Sequence, residues 1–174
     1  MTKLGELLIT RECIREKVSE LAERINADYA GKELMLIGVL KGAMIFLADL
    51  CREINIPVSI DFIIVSSYGM ETRTSGVVLL RKDVDEDIKG KHVVIIEDII
   101  DTGVTLNYLK GLFALREPAS LKICAAFDKF ERRTVDIAPD YCGFRIPDKF
   151  VVGYGLDFAG RYRNLPDLCI LENT

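Results

Sequence analysis

The 174 residues of the chain have the length of one domain with a sizeable core, and 49% hydrophobic and 29% charged residues are typical of soluble globular proteins. A formal net charge of −4 argues against a broad electrostatic surface for nucleic acid. No apolar run approaches the ~20 residues that a membrane span needs, and the first residues lack the pattern of a secretory signal.

Helical and strand-like patterns alternate along the chain. Apolar residues recur at spacings of three and four near the start, at Ile14, Val18, Leu21 and Ile25, which is the pattern of an amphipathic helix. Later segments are short aliphatic or β-branched runs, which favour strands. In chain order, the sequence predicts a helix over 10–30, a strand over 34–40, a helix over 43–54, a strand over 58–65, a polar connection over 66–76, an edge strand over 77–80, a charged turn over 83–90, a central strand from 93, a helix from about 104, and strands over 121–127, 141–146, 151–152 and 168–171.

The polar connection is unusually long for a compact domain. It is bounded by glycine and contains few apolar residues. Connections of this length are usually lids or disordered segments. Alternating strands and helices predict an α/β fold, a doubly wound and mostly parallel central sheet, within a single domain over residues 1–174.

Residues 93–105 are the most informative stretch. Four β-branched residues predict a buried parallel strand, which is followed by Glu97, Asp98 and Asp101 and then by a short turn with Gly103. A strand, a tight turn and a helix place backbone N–H groups and a helix N-terminus around a phosphate. Carboxylates next to a phosphate are explained if the ligand also carries hydroxyl groups, a metal ion or a developing positive charge. A phosphorylated ribose with a departing pyrophosphate and Mg²⁺ has all three.

Other polar segments are predicted to meet this turn. Lys41–Gly42, Asp128–Lys129 and residues 150–157 each follow a predicted strand. Loops that leave the carboxyl ends of parallel strands gather in one crevice. We therefore expect all of them to face the same ligand.

The motif Glu-Asp, two aliphatic residues and Asp-Thr-Gly-x-Thr resembles the signature of the type I phosphoribosyltransferases. Further segments resemble the members of that family that act on 6-oxopurines, from about residue 7 to residue 171. They are Leu40-Lys41-Gly42, Ser66-Ser67-Tyr68-Gly69, Asp128-Lys129, residues 146–154, Asp157 and residues 161–165. The resemblance implies the family's fold, with a small hood formed by the N-terminal segment and about 141–174, and a mobile lid over about 66–77.

The resemblance also implies a reaction. Phosphoribose would pass from phosphoribosyl pyrophosphate (PRPP) to hypoxanthine, guanine or both, giving IMP or GMP and pyrophosphate in purine salvage. Mg²⁺ would be the cofactor, carried largely on the pyrophosphate. The family implies a homodimer or homotetramer, and we expect a cytoplasmic enzyme that binds neither nucleic acid nor membrane.

Residue roles follow from the same resemblance. Asp101 would be the general base near purine N7. Phosphate and ribose would be bound by Glu97, Asp98, Thr102, Gly103, Val104 and Thr105; pyrophosphate by Lys41, Gly42 and Arg163, in a loop that in the family can hold a non-proline cis peptide; and the purine by Lys129, Phe150, Val151 and Asp157. Glu97, Asp98 and Asp157 would be the metal ligands, and Ser67 and Tyr68 would lie at the tip of the lid.

Plainer interpretations remain open at single residues. Asp98 and Asp101 could be acids that favour a helix start, Lys129 a solvated surface lysine, and Phe150 a core residue. Two other functions also remain open. One is a phosphoribosyltransferase with xanthine or a pyrimidine as acceptor, and the other is a PRPP-binding regulator of RNA or DNA.

Cysteine and histidine carry no chemistry in this interpretation. The five cysteines are widely spaced without a C-x-x-C motif, which is typical of reduced residues in a cytoplasmic protein rather than of a zinc site. The single histidine, His92, precedes the central strand. We expect a strand-end role for it rather than general acid catalysis.

Overall fold

The computed structural model describes residues 2–67 and 78–173. In chain order the elements are β1 (Thr2–Ile9), α1 (Arg11–Asp28), β2 (Leu34–Leu40), α2 (Met44–Glu53), β3 (Val58–Ser67), β4 (Val78–Lys82), β5 (His92–Ile100), α3 (Val104–Ala114), β6 (Ser120–Asp128), a 3₁₀ turn (Phe130–Arg132), β7 (Tyr141–Arg145), β8 (Val151–Val152) and β9 (Leu168–Asn173).

The described strands form a six-stranded sheet and a three-stranded sheet. The large sheet has the order β4-β3-β2-β5-β6-β7. Strand β4 pairs antiparallel with β3, and all other neighbouring strands of this sheet are parallel. The small antiparallel sheet has the order β1-β9-β8. The predicted α/β class with a mostly parallel sheet is confirmed. Within the described ranges, no helix is both long and apolar enough to cross a membrane.

Strand β5 is buried on both faces, which explains its continuous apolar run. Val94 and Ile96 belong to the apolar cluster that packs against α1 and α2, and Val93 and Ile95 belong to the cluster that packs against α3. A central strand between two helical layers has no solvent face and therefore no polar alternation. The apolar cluster of α1 and α2 also includes residues of β8 and β9, so the small sheet packs on the same core.

Several boundaries differ from the sequence prediction. Helix α1 begins after Thr10, whose Oγ1 accepts a hydrogen bond from Cys13 N, and ends at Asp28 rather than at residue 30. Strand β5 continues to Ile100, so Glu97 and Asp98 lie within the strand and not after it. Strand β1 was not predicted. Most of the predicted lid, including Tyr68, and the side chain of Ser67 lie outside the described residues.

Candidate active site

A cleft of about 450 Å³ lies at the carboxyl edge of the large sheet. Strand β5 is paired with β2 on one side and with β6 on the other, so the ends of these three strands are neighbours. Most residues of the predicted site face this cleft: Gly42, Glu97, Asp98, Asp101, Thr102, Gly103, Thr105, Asp157 and Arg163. The folded chain therefore brings Gly42, the end of β5 and Asp157 to one cleft, whereas Lys41 and Asp128–Lys129 are not among the residues that line it.

Glu97 and Asp98 form a carboxylate pair in the cleft. Glu97 is only 7% exposed. Its Oε1 accepts a hydrogen bond from Asp98 N at 3.2 Å. Burial and the neighbouring carboxylate of Asp98 raise the pKa of Glu97 well above its usual range. Burial also raises the pKa of Asp98, although the Arg163 guanidinium opposes this shift. The pair resists carrying two negative charges.

We predict that Glu97→Gln stabilises the protein at neutral pH. A carboxyl whose pKa is higher in the folded state binds more protons there, so its contribution to stability falls as the pH rises above its unfolded pKa. A neutral amide removes this cost. We expect the melting temperature at pH 7 to rise by about 2–4 °C, the shift that about 1 kcal/mol produces in a chain of this size. Thermal unfolding measured between pH 4 and pH 8 tests this.

The difference between Glu97→Gln and the wild type should shrink towards pH 4, where the wild-type carboxyl is protonated. Glu23→Gln, at an exposed position of α1, is the matched control and should leave the melting temperature unchanged at every pH. A pH-independent effect of Glu97→Gln would contradict the electrostatic explanation.

The loop between β2 and α2 packs directly against the carboxylate pair. The peptide bond between Leu40 and Lys41 is cis, and the side chain of Lys41 is exposed. A Cβ atom added to Gly42 would lie 1.5 Å from Asp98 Oδ2. One added to Gly155 would lie 2.1 Å from Gly42 O. Position 42 needs glycine because its backbone is in contact with the Asp98 carboxylate.

Arg163 and Asp157 also line the cleft and contact each other. Arg163 Nη2 lies 2.5 Å from Asp157 Oδ1, and Arg163 Nη1 donates a hydrogen bond to Gly155 O at 2.6 Å. Asp157 Oδ2 accepts a hydrogen bond from Gly160 N at 2.7 Å. The predicted pyrophosphate-binding guanidinium is thus held by one of the predicted metal ligands.

The donor set fits Mg²⁺ that arrives with its substrate. Within residues 2–67 and 78–173, no group of three or more His, Cys, Asp or Glu side chains is arranged to hold a metal ion. Glu97, Asp98 and Asp157 are therefore not a preassembled cage. The acidic pair nevertheless presents the oxygen donors that Mg²⁺ prefers, and this ion usually keeps several waters and takes the rest of its ligands from substrate phosphates.

The turn after β5 has the geometry of an anion site. Gly103 has φ +85° and caps the N-terminus of α3, so the N–H groups of the first helical turn begin at Val104. Thr102 Oγ1 accepts a hydrogen bond from Val104 N at 3.4 Å. The N–H groups at a helix start and the positive end of the helix dipole favour a phosphate here.

Asp101 lies between this turn and an arginine that the sequence did not indicate. Arg132 Nε is 2.9 Å from Asp101 Oδ1, and Arg132 Nη1 is 3.5 Å from Asp148 Oδ1. The first contact is an ion pair without hydrogen-bond geometry. Asp101 Oδ1 is buried and has no hydrogen-bond partner among the described residues. Oδ1 is therefore covered by Arg132, and the exposed surface of the Asp101 side chain, which is 42% exposed, belongs to its other atoms.

Of the predicted purine-binding residues, Asp157 lines the cleft, whereas Lys129, Phe150 and Val151 do not. Lys129 is only 6% exposed, and burial lowers its pKa although the carboxylates of Asp101 and Asp148 oppose that shift. Phe150 is 52% exposed and packs edge-on against Phe158, with ring centroids 5.7 Å apart. Val151 is buried and pairs with β9. Lys129 is therefore not a solvated surface lysine, and Phe150 is not a core residue.

Two other parts of the molecule lack the features of this cleft. A larger groove of about 640 Å³ lies between α1, α2 and residues 163–166, but it shares only Arg163 with the cleft and lacks the acidic pair. His92 lies at the start of β5, opposite the acidic end, with Nδ1 2.8 Å from Ser120 Oγ and its ring edge-on to Tyr29. Its contacts fit the expected strand-end role.

Fold and cleft together define a class of protein: a doubly wound α/β protein that binds a phosphorylated, hydroxyl-bearing ligand at the carboxyl edge of its sheet. The model of the phosphoribosyl transferase domain matches residues 7–159. The chain belongs to the phosphoribosyl transferase family, which confirms the resemblance seen in the sequence.

Individual relatives are similar over nearly their whole length. A hypoxanthine phosphoribosyltransferase from Salmonella typhimurium is 48% identical over 163 residues, 92% of each chain. A hypoxanthine-guanine phosphoribosyltransferase from Streptococcus agalactiae is 49% identical over 169 residues, 97% of this chain and 94% of the relative. The crystal structure of such an enzyme from Bacillus anthracis superposes with a TM-score of 0.93 at 47% identity, covering 99% of this chain and 100% of that one.

Proposed function

We propose that the protein transfers phosphoribose from PRPP to hypoxanthine, guanine or both in purine salvage. The observation that carries the proposal is the Glu97–Asp98 pair, which faces a cleft beside the N-terminus of α3. A buried and a half-buried carboxylate that repel each other suit a ligand with ribose hydroxyls and a metal-bound pyrophosphate. The relatives named for hypoxanthine and guanine support the choice of acceptor.

The ligand is oriented by three parts of the cleft. Thr102, Gly103, Val104 and Thr105 bind the 5′-phosphate through backbone N–H groups and hydroxyls, and Glu97 and Asp98 accept hydrogen bonds from the ribose hydroxyls. Lys41, Gly42 and Arg163 bind the leaving pyrophosphate, for which Arg163 must leave Asp157. Mg²⁺, when bound, supplies positive charge to the departing pyrophosphate.

The purine is held on the flank formed by Lys129, Phe150 and Val151. Lys129 donates a hydrogen bond to the 6-oxo group, Phe150 stacks on the ring, and Val151 presents backbone groups to the 2-position edge. Asp101 accepts the N7 proton as N9 attacks the sugar carbon, whose transition state resembles an oxocarbenium ion. Positioning and fixed charge, without a covalent intermediate, lower the barrier.

The location and assembly of the protein belong to the same proposal. All five cysteines are free thiols, which a reducing compartment such as the cytoplasm maintains. Self-association as a homodimer or homotetramer rests on the family resemblance. Size-exclusion chromatography with light scattering measures it directly.

The function is tested by incubating the protein with PRPP, Mg²⁺ and hypoxanthine and following the absorbance of the purine. We expect turnover that requires all three components. Parallel reactions with guanine, xanthine and adenine define the acceptor, and we expect the 6-aminopurine to be used least. A nucleic-acid regulator would show no turnover and would bind DNA or RNA with a steep salt dependence, which would overturn the proposal.

A further inference from the structure

Arg133 is a buried arginine whose hydrogen-bonding capacity is only partly used. Its side chain is 10% exposed, and its Nη2 pairs with Asp128, whose side chain is 3% exposed. Its Nε and Nη1 are buried and have no hydrogen-bond partner among the described residues. Because unpaired buried donors are costly, an arginine is expected here only if another role maintains it.

The guanidinium lies directly behind the phosphate turn. A Cβ atom added to Gly103 would be 2.9 Å from Arg133 Cδ, 3.1 Å from Arg133 Nη1 and 2.6 Å from Ile137 Cγ2. The next residue, Thr134, donates a backbone hydrogen bond to Thr102 O at 3.0 Å. The segment after β6 therefore forms the rear wall of the turn.

The turn has little internal support of its own. Gly103 is in the left-handed region, with φ +85°, and caps α3 without a side-chain hydrogen bond. The bond from Val104 N to Thr102 Oγ1 is long, at 3.4 Å. A set of N–H groups binds an anion strongly only when it is already oriented before the anion arrives, so the rear wall determines how well the turn is oriented.

We infer that Arg133 is a positioning residue for the 5′-phosphate turn, with Asp128 anchoring one edge of its guanidinium while the other edge supports Gly103. A planar, forked cation suits this position, since it spans two partners that a compact ammonium would not. Asp128 also precedes Lys129, so the same ion pair connects the purine segment to the phosphate turn. This inference rests on the proposed function, in which residues 102–105 bind the phosphate.

The test compares two ligand fragments that bind at opposite ends of the cleft. Arg133→Met should weaken binding of ribose 5-phosphate, measured by calorimetry, by at least about tenfold, which corresponds to about 1.4 kcal/mol. Binding of Mg²⁺-pyrophosphate, whose groups lie at Lys41 and Gly42, should change by less than about twofold. A mere loss of stability would not separate the two fragments.

Three further variants make the result specific. Arg133→Lys should keep the ion pair with Asp128, and hence the melting temperature, while ribose 5-phosphate still binds weakly. Arg116→Met is the matched control, because Arg116 forms two hydrogen bonds with Asp83, at 3.0 and 2.6 Å, beyond the far end of α3. It should leave both affinities unchanged. If Arg133→Met does not fold, Asp128→Asn with Arg133→Met removes the unpaired buried carboxylate and should show the same selective loss.

A Thr105→Ala variant distinguishes a failure of the inference about Arg133 from a failure of the proposed phosphate site. Weaker ribose 5-phosphate binding in Thr105→Ala, combined with wild-type binding in both Arg133 variants, would overturn the inference and leave the proposed function intact. Unchanged binding in Thr105→Ala and in Arg133→Met would overturn the assignment of the phosphate turn itself. Selective loss in both variants supports both.

Discussion

Asp101→Asn should lower turnover by ~10²-fold or more, the range of effects typical of general base removal. Asp101 lines the cleft and its side chain is 42% exposed, so Oδ2, the oxygen that Arg132 does not contact, can accept a proton from the purine. An amide has nearly the same shape but is not basic. The affinity for PRPP should stay within about threefold of the wild type, because the change lies on the purine side.

Steady-state kinetics with hypoxanthine as the varied substrate measure this effect, and a separate titration measures PRPP binding. Asp136→Asn is the control, since Asp136 is an exposed aspartate of the segment behind the turn and should retain full turnover. Turnover near the wild-type value in Asp101→Asn would remove Asp101 from the base role. A loss of PRPP affinity equal to the loss of turnover would instead make Asp101 part of the phosphate site.

The elements that the sequence predicted well are those that local pattern determines. Strand β2 has the predicted bounds, because an aliphatic run between polar ends specifies a buried strand without reference to the rest of the chain. Helix α3 begins at Val104 as expected, after a glycine whose left-handed conformation other residues rarely adopt. The cleft followed from the rule that carboxyl ends of parallel strands meet.

Strand β1 was missed because its structure depends on distant partners. Thr2–Ile9 is paired with Leu168–Asn173 at the other end of the chain, and the pairing contains two register irregularities. Such irregularities interrupt the alternation by which a strand is recognised in sequence. Leu4 and Leu7 remain exposed, so the segment does not have the apolar face of a typical strand.

The contacts of Arg132 and Arg133 could not be predicted either. Both lie in a charged run, which favours a solvated surface. Because they are adjacent residues of the same type, the sequence predicts the same environment for both. In the folded chain Arg132 is half-exposed and contacts Asp101, whereas Arg133 is buried against Asp128. The two arginines differ because Arg132 is the last residue of the 3₁₀ turn at Phe130–Arg132, whereas Arg133 follows it.

Lys129→Ala should lower kcat/KM for hypoxanthine by ~10²–10³-fold and reduce the preference for 6-oxopurines over adenine. A site built to hydrogen-bond a substrate group discriminates by as much as ~10⁴ against an analogue that lacks it. Lys129 is buried, and burial lowers its pKa, so its hydrogen bond to a 6-oxo group would form where little water competes. A 6-amino group would place another donor against it.

The discriminating measurement is the ratio of kcat/KM for hypoxanthine to that for adenine, together with the Kd for PRPP. Lys110→Ala, at an exposed position of α3, should change none of these values. Equal losses in PRPP affinity and hypoxanthine use would assign Lys129 to the general stability of the cleft. A selective loss would mean that the buried lysine after β6 determines the acceptor.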